Sequence, residues 1–428
     1  MTTLVVGGGW SGLATAVRLT QMGEKVHLLE AAKQLGGRAR NVAWQGLEID
    51  NGQHLMIGAY QHTLDLLNVV GAKESELFKR QPLQLSIHHP HYPSLHMQAG
   101  HSLPWPLSVA WRLWQDNGFT VFKQVSRLLV AGQRLTNKTD MSVHTWLRQQ
   151  KQSSRLIAQL WEPLCLAMLN TPIEQASAKI FAHVLTETFK KRKNTDLLLP
   201  TKGLGDSLPL HAAAYIQEHG GKISLQTRVS NLVIKKGRVE GVTLDDESFL
   251  AAENIVLATS PSVSQALLTP HITFAAPDSY PIATVYLQYP AQVRLPEPIM
   301  GLSGTLSQWL FDRYELRPGL VAVVISGPGK HERLDKKSLV EQVSQELKQV
   351  LPSLPARADD SLVIREKRAT FACTVDIEQQ RPNNRTEVSG LWLSSDYVSN
   401  GYPATLEGAV INGEQTATQL IEHQGLSR

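Results

Sequence analysis

The stretch Leu4-Val5-Val6-Gly7-Gly8-Gly9-Trp10-Ser11-Gly12 runs into a helix-patterned segment, residues 13–22, and then into a second apolar run, residues 26–29, closed by Glu30. An apolar run, a glycine turn, an amphipathic helix, another apolar run and a terminal acid, in that order, form a βαβ unit with a dinucleotide fingerprint. Gly7 takes the tight turn off the strand, Gly9 lets backbone approach a pyrophosphate, and Gly12 lets the helix pack closely on the sheet. The helix start at Trp10 and Ser11 then turns free backbone N–H groups toward the phosphates. Glu30 stands where a carboxylate accepts hydrogen bonds from a ribose diol, and its charge disfavours a 2′-phosphate. By itself this unit leaves FAD and NAD open.

With 428 residues, 42% hydrophobic and 19% charged, the chain reads as a folded protein of two or three domains. No window approaches the ~20 apolar residues of a membrane-spanning helix. The fingerprint begins too early to leave room for a cleavable apolar leader, so the cytoplasm is the expected compartment. A net charge of +4 is modest for this length and implies no nucleic-acid partner. Cys165 and Cys373 are far apart in sequence and flanked by apolar residues, which indicates neither a disulfide framework nor a metal knuckle; both are expected to be buried. His88, His89, His91 and His96 lack acidic companions or regular metal spacing and are expected in a solvated Pro-rich loop, with no metal site. The basic run Lys190, Lys191, Arg192 and Lys193 reads as a solvated helix end or loop, with a membrane-surface role as the alternative.

After Glu30, Leu35-Gly36-Gly37-Arg38 forms a loop whose paired glycines allow positive φ and which can reach back to bound phosphates. Residues 46–54 read as a short strand entering the polar turn Asp50-Asn51-Gly52-Gln53-His54. A helix over 60–70 follows, with Leu64, Leu67 and Val70 on one face. Residues 80–200 lose the dinucleotide pattern and gather Trp105, Trp111, Trp114, Phe119, Phe122, Trp146 and Trp161. Helical spacing over 109–114 and 121–135 leaves Arg112, Lys123, Arg127 and Arg134 as polar handles. That combination suits a membrane interface or the mouth of an apolar tunnel, and equally a helical subdomain packing its own core.

Asp206 is placed to cap a helix that runs to His219 and stops at Gly220-Gly221. Residues 222–225, 229–234 and 239–244 read as strands, with Lys236-Gly237 turning between the last two, and residues 254–258 as a buried strand. Strands over 282–289 and 320–325 and a helix over 337–351 read as part of a second, inserted domain. Residues 325–330 are glycine-rich but do not make a second fingerprint, so one dinucleotide site is expected. At the far end, Leu391-Trp392-Leu393-Ser394-Ser395-Asp396 reads as a strand ending in an acid. Pro403-Ala404-Thr405-Leu406-Glu407-Gly408-Ala409-Val410 opens a helix, with Pro403 at its start and Glu407 in its first turns.

Glu30 followed by Leu35-Gly36-Gly37-Arg38, together with the closing motif at 391–410, resembles the flavin amine oxidase and carotenoid desaturase superfamily. The resemblance implies an α/β fold with a Rossmann-type FAD-binding domain, expected over residues 1–80, 200–270 and 365–428. An inserted α+β substrate-binding domain is expected over residues 81–199 and 271–364, including a helical, aromatic-rich subdomain. FAD is the implied cofactor, because two motifs at opposite ends of the chain each need the other. The resemblance puts Gly37 and Arg38 at the pyrophosphate, and Gly52, Gln53 and His54 beside the flavin ring. It pairs Val229 with adenine through its backbone and bonds Asp396 to the ribityl or pyrophosphate region. The helix start at Leu406 would face the pyrimidine edge, where a positive helix end stabilises negative charge on reduced flavin.

Within the superfamily, the fingerprint combined with residues 34–40, residues 50–54 and Arg365-Glu366-Lys367-Arg368-Ala369-Thr370-Phe371 is most similar to the bacterial hydroxysqualene dehydroxylase family. That similarity implies an FAD-dependent oxidoreductase of hopanoid and squalene biosynthesis, which delivers hydride from flavin N5 to an allylic carbon of hydroxysqualene. Expected partners are a long-chain isoprenoid substrate, squalene-pathway enzymes and the inner face of the cytoplasmic membrane. NADPH bound transiently, or a separate reductase, would supply electrons. The motifs assign no catalytic acid; His54 is the one candidate, against the ordinary role of a hydrogen-bonded structural histidine. Arg365, Lys367 and Arg368 either line the site or face solvent from a strand edge. Two other readings stay open: a desaturase or oxidase acting on a carotenoid precursor or an amine, and a flavin-binding scaffold without turnover.

Overall fold

The computed structural model describes residues 2–98, 107–135 and 139–426; Trp105 lies outside them. Five parallel strands form a first sheet in the order Lys222–Ser224, Lys25–Leu29, Thr2–Val6, Asn254–Leu257 and Leu391–Leu393. The central strands are covered on both faces, which is why Leu4-Val5-Val6, residues 255–257 and residues 391–393 are continuous apolar runs rather than alternating ones. Val5, Leu28, Val256 and Trp392 pack against the helices Trp10–Gln21, Leu208–Glu218 and Leu406–Leu426. Leu4, Val6, Leu29, Ile255 and Leu257 face the other way, in one core with Leu232, Val239 and Val242. The last three belong to an antiparallel sheet of Val229–Lys235, Arg238–Leu244 and Phe249–Ala251, whose first turn takes Lys236 and Gly237 into positive φ.

A second, seven-stranded sheet runs Asp360–Phe371, Ser279–Gln288, Leu320–Ser326, Trp309–Asp312, Ile299–Leu302, Gln84–His89 and Tyr92–Gln98. All its pairs are antiparallel except Ile299–Leu302 with Gln84–His89. Period-2 alternation assigns its faces. Ala283, Val285, Leu287, Val321, Val323 and Ile325 pack on the helix Lys336–Val350, through Leu339, Val343 and Leu347. Tyr286, Ala322, Val324 and Phe311 face a core shared with the helical segment 119–189. A small sheet of Met56–Ile57, Leu197–Pro200 and Phe78–Gln81 joins the two halves.

Several expectations need correction. The domain boundary at 365 falls inside Asp360–Phe371, which pairs along its length with Ser279–Gln288, and the boundary at 80/81 falls inside Phe78–Gln81. His88, His89 and His96 sit on the strands of an antiparallel hairpin, and His91 in its turn, at the sheet edge rather than in a Pro-rich loop. Asp206 accepts from Asn41 instead of capping, and the following helix begins at Leu208. The C-terminal helix begins at Leu406, with Thr405 Oγ1 accepting from Gly408 N, so Pro403 lies outside it. The aromatic region divides: Trp146 and Trp161 are core, while Trp111, Trp114 and Phe119 are exposed. Both cysteines are buried, and burial pushes their thiols up.

Two carboxylates of the C-terminal helix hold its neighbours. Glu407 is buried and accepts from His62 N, Thr63 N and Thr63 Oγ1, capping the helix Gln61–Val69 from another element. Glu414 accepts from Arg18 Nε at 2.9 Å and from His62 Nδ1 at 2.7 Å. The bond to Glu414 raises the His62 pKa above 6.5, burial opposes it, and the charges of Glu407, Glu414 and Asp65 add to the rise. A raised folded-state pKa contributes stability that is complete below the unfolded value and disappears as pH rises through the folded one. The melting temperature of His62→Asn should therefore fall short of wild type at about pH 6 and converge with it by about pH 8.5; a gap independent of pH would refute the ionic contribution.

Candidate active site

A cavity of about 890 Å³ opens where the carboxyl ends of the parallel strands meet the second sheet. Its nucleotide half is built on two glycine loops. Gly7 has φ +110°, and a Cβ there would lie 2.4 Å from Ala258 O; a Cβ on Gly12 would lie 2.0 Å from Gly7 O. Both positions therefore admit only glycine if strand and helix are to meet as they do. Gly9 differs: a Cβ there would meet no protein atom within 4 Å. Gly9 is also the N-cap of Trp10–Gln21 and has no side chain to satisfy the amides of the first turn. Gly36 and Gly37 have φ +105° and +60°, and Gly36 N donates to Gly8 O, which lays the second loop across the first.

Glu30 lines the cavity, and its carboxylate accepts from Gly8 N at 2.6 Å and Ala32 N at 2.7 Å, so it also braces the first loop. Arg38 donates to Ala369 O and to Asp396 Oδ2, each at 2.6 Å. That ion pair spans the cavity wall and connects the loops from opposite ends of the chain. Trp10 is buried in the lining, and its Nε1 has no partner. Ser11 Oγ shares a hydrogen bond with Ser394 Oγ. Val229 and Leu406 both belong to the lining, Leu406 at the start of the C-terminal helix.

The lining also includes Gly52, Gln53 and His54. Gly52 takes φ +94°, Gln53 N donates to Thr284 Oγ1, and Gln53 Nε2 donates to His54 O. Burial lowers the His54 pKa from its usual 6.5 against the charge of nearby Asp50, and Arg38 adds to the lowering. Asp50 is itself buried, which raises its pKa; it accepts from Leu204 N, and Arg313 lies close enough to oppose the rise. Beyond His54 the cavity becomes apolar. Ile282, Ile299, Trp309, Phe311, Val324 and Ile364 form a floor on the second sheet, facing Leu164, Met168 and Val184 of the helices Glu162–Leu169 and Ala178–Phe189. Of the basic run 365–368, Arg368 lines the cavity, whereas Arg365 donates to Leu334 O and Lys367 is exposed.

Arg381 escaped the sequence reading. Its buried guanidinium donates to the carbonyls of Asp396, Tyr397, Val398 and Tyr402 and pairs with Glu378, fixing the loop that carries Asp396. Four of its acceptors are backbone carbonyls, which no residue type in the sequence marks.

The sequence pattern of the flavin-containing amine oxidoreductase family matches residues 10–421. The chain belongs to that family. It is 26% identical to the hydroxysqualene dehydroxylase of Zymomonas mobilis over 98% of the chain and 99% of the relative. It is 21% identical to the 15-cis-phytoene desaturase of Narcissus pseudonarcissus over 98% of the chain and 79% of the relative. An oxidoreductase from Methanosarcina mazei has the same fold, with a TM-score of 0.76 at 16% identity over 99% of this chain and all of the other. The family member is an FAD-dependent oxidoreductase with an α/β fold.

The residues present fit FAD. The space over Gly9, the uncapped start of Trp10–Gln21 and the unpartnered Trp10 Nε1 provide donors and room in the cavity lining. Gly9 has ordinary φ of −74°, so alanine fits its backbone. Gly9→Ala should fold with an unchanged apoprotein melting temperature yet bind FAD roughly tenfold more weakly or worse, whereas Gly12→Ala should destabilise the apoprotein by about 1–3 kcal/mol. Equal FAD affinity for Gly9→Ala and wild type, measured by flavin fluorescence titration, would contradict the placement.

Proposed function

We propose that this oxidoreductase reduces hydroxysqualene to squalene. The observation that carries the reading is the apolar compartment continuous with the flavin half of the cavity, in a chain resembling relatives named hydroxysqualene dehydroxylase along nearly its whole length. A long isoprenoid chain can be buried on the floor formed by Ile282, Trp309, Phe311 and Val324, and their bulk excludes the water that would capture an allylic cation. When bound, reduced FAD supplies the hydride that replaces the hydroxyl group. The C–O electron pair leaves on oxygen, which needs a proton to depart as water.

His54 is the proton donor in this reading. It lies in the cavity wall, in the turn the family resemblance puts beside the flavin ring, and Asp50 stands behind it as the charge that favours its protonated form. The reductant is external, either NADPH bound transiently or a separate reductase, since one sheet among the described residues carries a glycine phosphate turn.

Anaerobic reduction of the purified holoenzyme followed by hydroxysqualene should restore oxidised-flavin absorbance in step with squalene formation. A protein that stays reduced and yields no squalene sinks the proposal. The likeness to 15-cis-phytoene desaturases supports a second reading, in which phytoene would bleach the oxidised flavin instead. A donor must be protonated, so turnover should fall as pH rises through the His54 pKa, which burial holds below 6.5. His54→Gln should retain FAD, lose that limb of the pH profile and turn over about 100-fold more slowly.

A further inference from the structure

The helices Leu107–Asn117 and Phe119–Gly132 leave large aromatic groups in water. Trp111 is 45% exposed, Trp114 46%, Phe119 60% and Val130 55%. Every other tryptophan among the described residues is buried or half-buried, so the exposure is a property of this face. The two indoles meet edge to face at 5.2 Å, one helical turn apart. The inward side of the pair is already occupied, since Leu113, Val125 and Leu128 are buried in the main core. Asn117 also pins the first helix by bonding the backbone N and O of His96. The outward face therefore has no packing role within the described chain.

Its charge selects an occupant. Residues 107–135 contain Arg112, Lys123, Arg127 and Arg134, all exposed, against the single acid Asp116. Indoles interleaved with arginine and lysine are the composition of a bilayer interface, where the ring sits at headgroup depth and the cation meets lipid phosphate. Protein–protein interface cores are instead depleted of lysine. The face also overlies the strand Tyr92–Gln98, whose Met97 lines the catalytic cavity, so one layer of structure separates it from the apolar compartment. Among the described residues no helix is long and apolar enough to cross a membrane.

We propose that the Trp111, Trp114 and Phe119 face docks on an anionic lipid bilayer. The interaction is peripheral: indoles enter the headgroup region and the arginines and lysine hold the helices to negatively charged lipid. It does not depend on which isoprenoid is the substrate, since neither its geometry nor its charge uses the flavin site.

Flotation of the FAD-loaded full chain with phosphatidylcholine vesicles, and with vesicles also containing phosphatidylglycerol, tests it. Wild type should float with the anionic vesicles, weakly or not at all with the neutral ones, and be released by high salt. Arg112→Gln, Lys123→Gln and Arg127→Gln combined should weaken anionic binding roughly a hundredfold. Trp111→Ser with Trp114→Ser should also lose binding, and both variants should keep wild-type flavin absorbance and melting temperature. Wild type that floats with neither vesicle overturns the proposal. So does wild-type binding by the folded charge variant, or a lipid-free dimer that the tryptophan variant converts to monomer.

Discussion

The strand Thr2–Val6 has hydrogen-bonding partners on both edges, and the rest of the molecule depends on that condition. A strand buried on two faces and paired on two sides can leave no backbone group unsatisfied. Its neighbours, Lys25–Leu29 and Asn254–Leu257, come from segments more than two hundred residues apart, and Leu391–Leu393 is added beyond them. The intervening chain must leave the sheet and return. The second sheet and the helical segment are consequently insertions, and their cavity-facing side is held against the carboxyl ends of the first sheet, where the phosphate-facing helix begins.

The return of the chain is secured by buried polar contacts rather than by apolar packing alone. Arg38 and Asp396 meet across the cavity, and Arg381 satisfies four carbonyls of the loop that presents Asp396. A buried guanidinium is costly unless its donors are matched, and removing any one acceptor would leave an unsatisfied charge. The loop is therefore confined to one conformation by an ion whose own burial requires that conformation. Glu407 acts similarly at the start of the C-terminal helix, where it supplies the cap that Gln61–Val69 lacks in its own sequence.

What could be read from sequence was local. The glycine spacing around Gly7, Gly9 and Gly12 states a backbone geometry directly, and the φ of Gly36 and Gly37 follows from the same residue type. Arg381 and Glu407 were not legible in these roles, since each acts on backbone atoms of a distant segment and any arginine or glutamate of suitable reach has the same appearance in sequence. The histidines of Gln84–His89 and Tyr92–Gln98 were misplaced because proline and histidine weaken a strand pattern, while cross-strand bonds such as His96 Nδ1 with Ser86 Oγ restore it in the fold. The boundary expected at 365 falls on an edge strand whose Glu366 and Arg368 line the cavity while Arg365 bonds Leu334 O and Lys367 is exposed, which is why only part of that motif reaches the site.

The division of the cavity also separates what the family shares from what distinguishes its members. The nucleotide half is made of backbone amides, glycine turns and a few charges, and such a surface recognises a cofactor without specifying a reaction. The other half is set by side-chain bulk on one face of a seven-stranded sheet, which can change residue by residue without disturbing the strands that carry it. His54 belongs to the cavity lining, on the turn between Asp50 and Met56. Burial holds the imidazole of that turn below its usual 6.5 against the charge of Asp50, whose own carboxyl is raised by burial and opposed by Arg313.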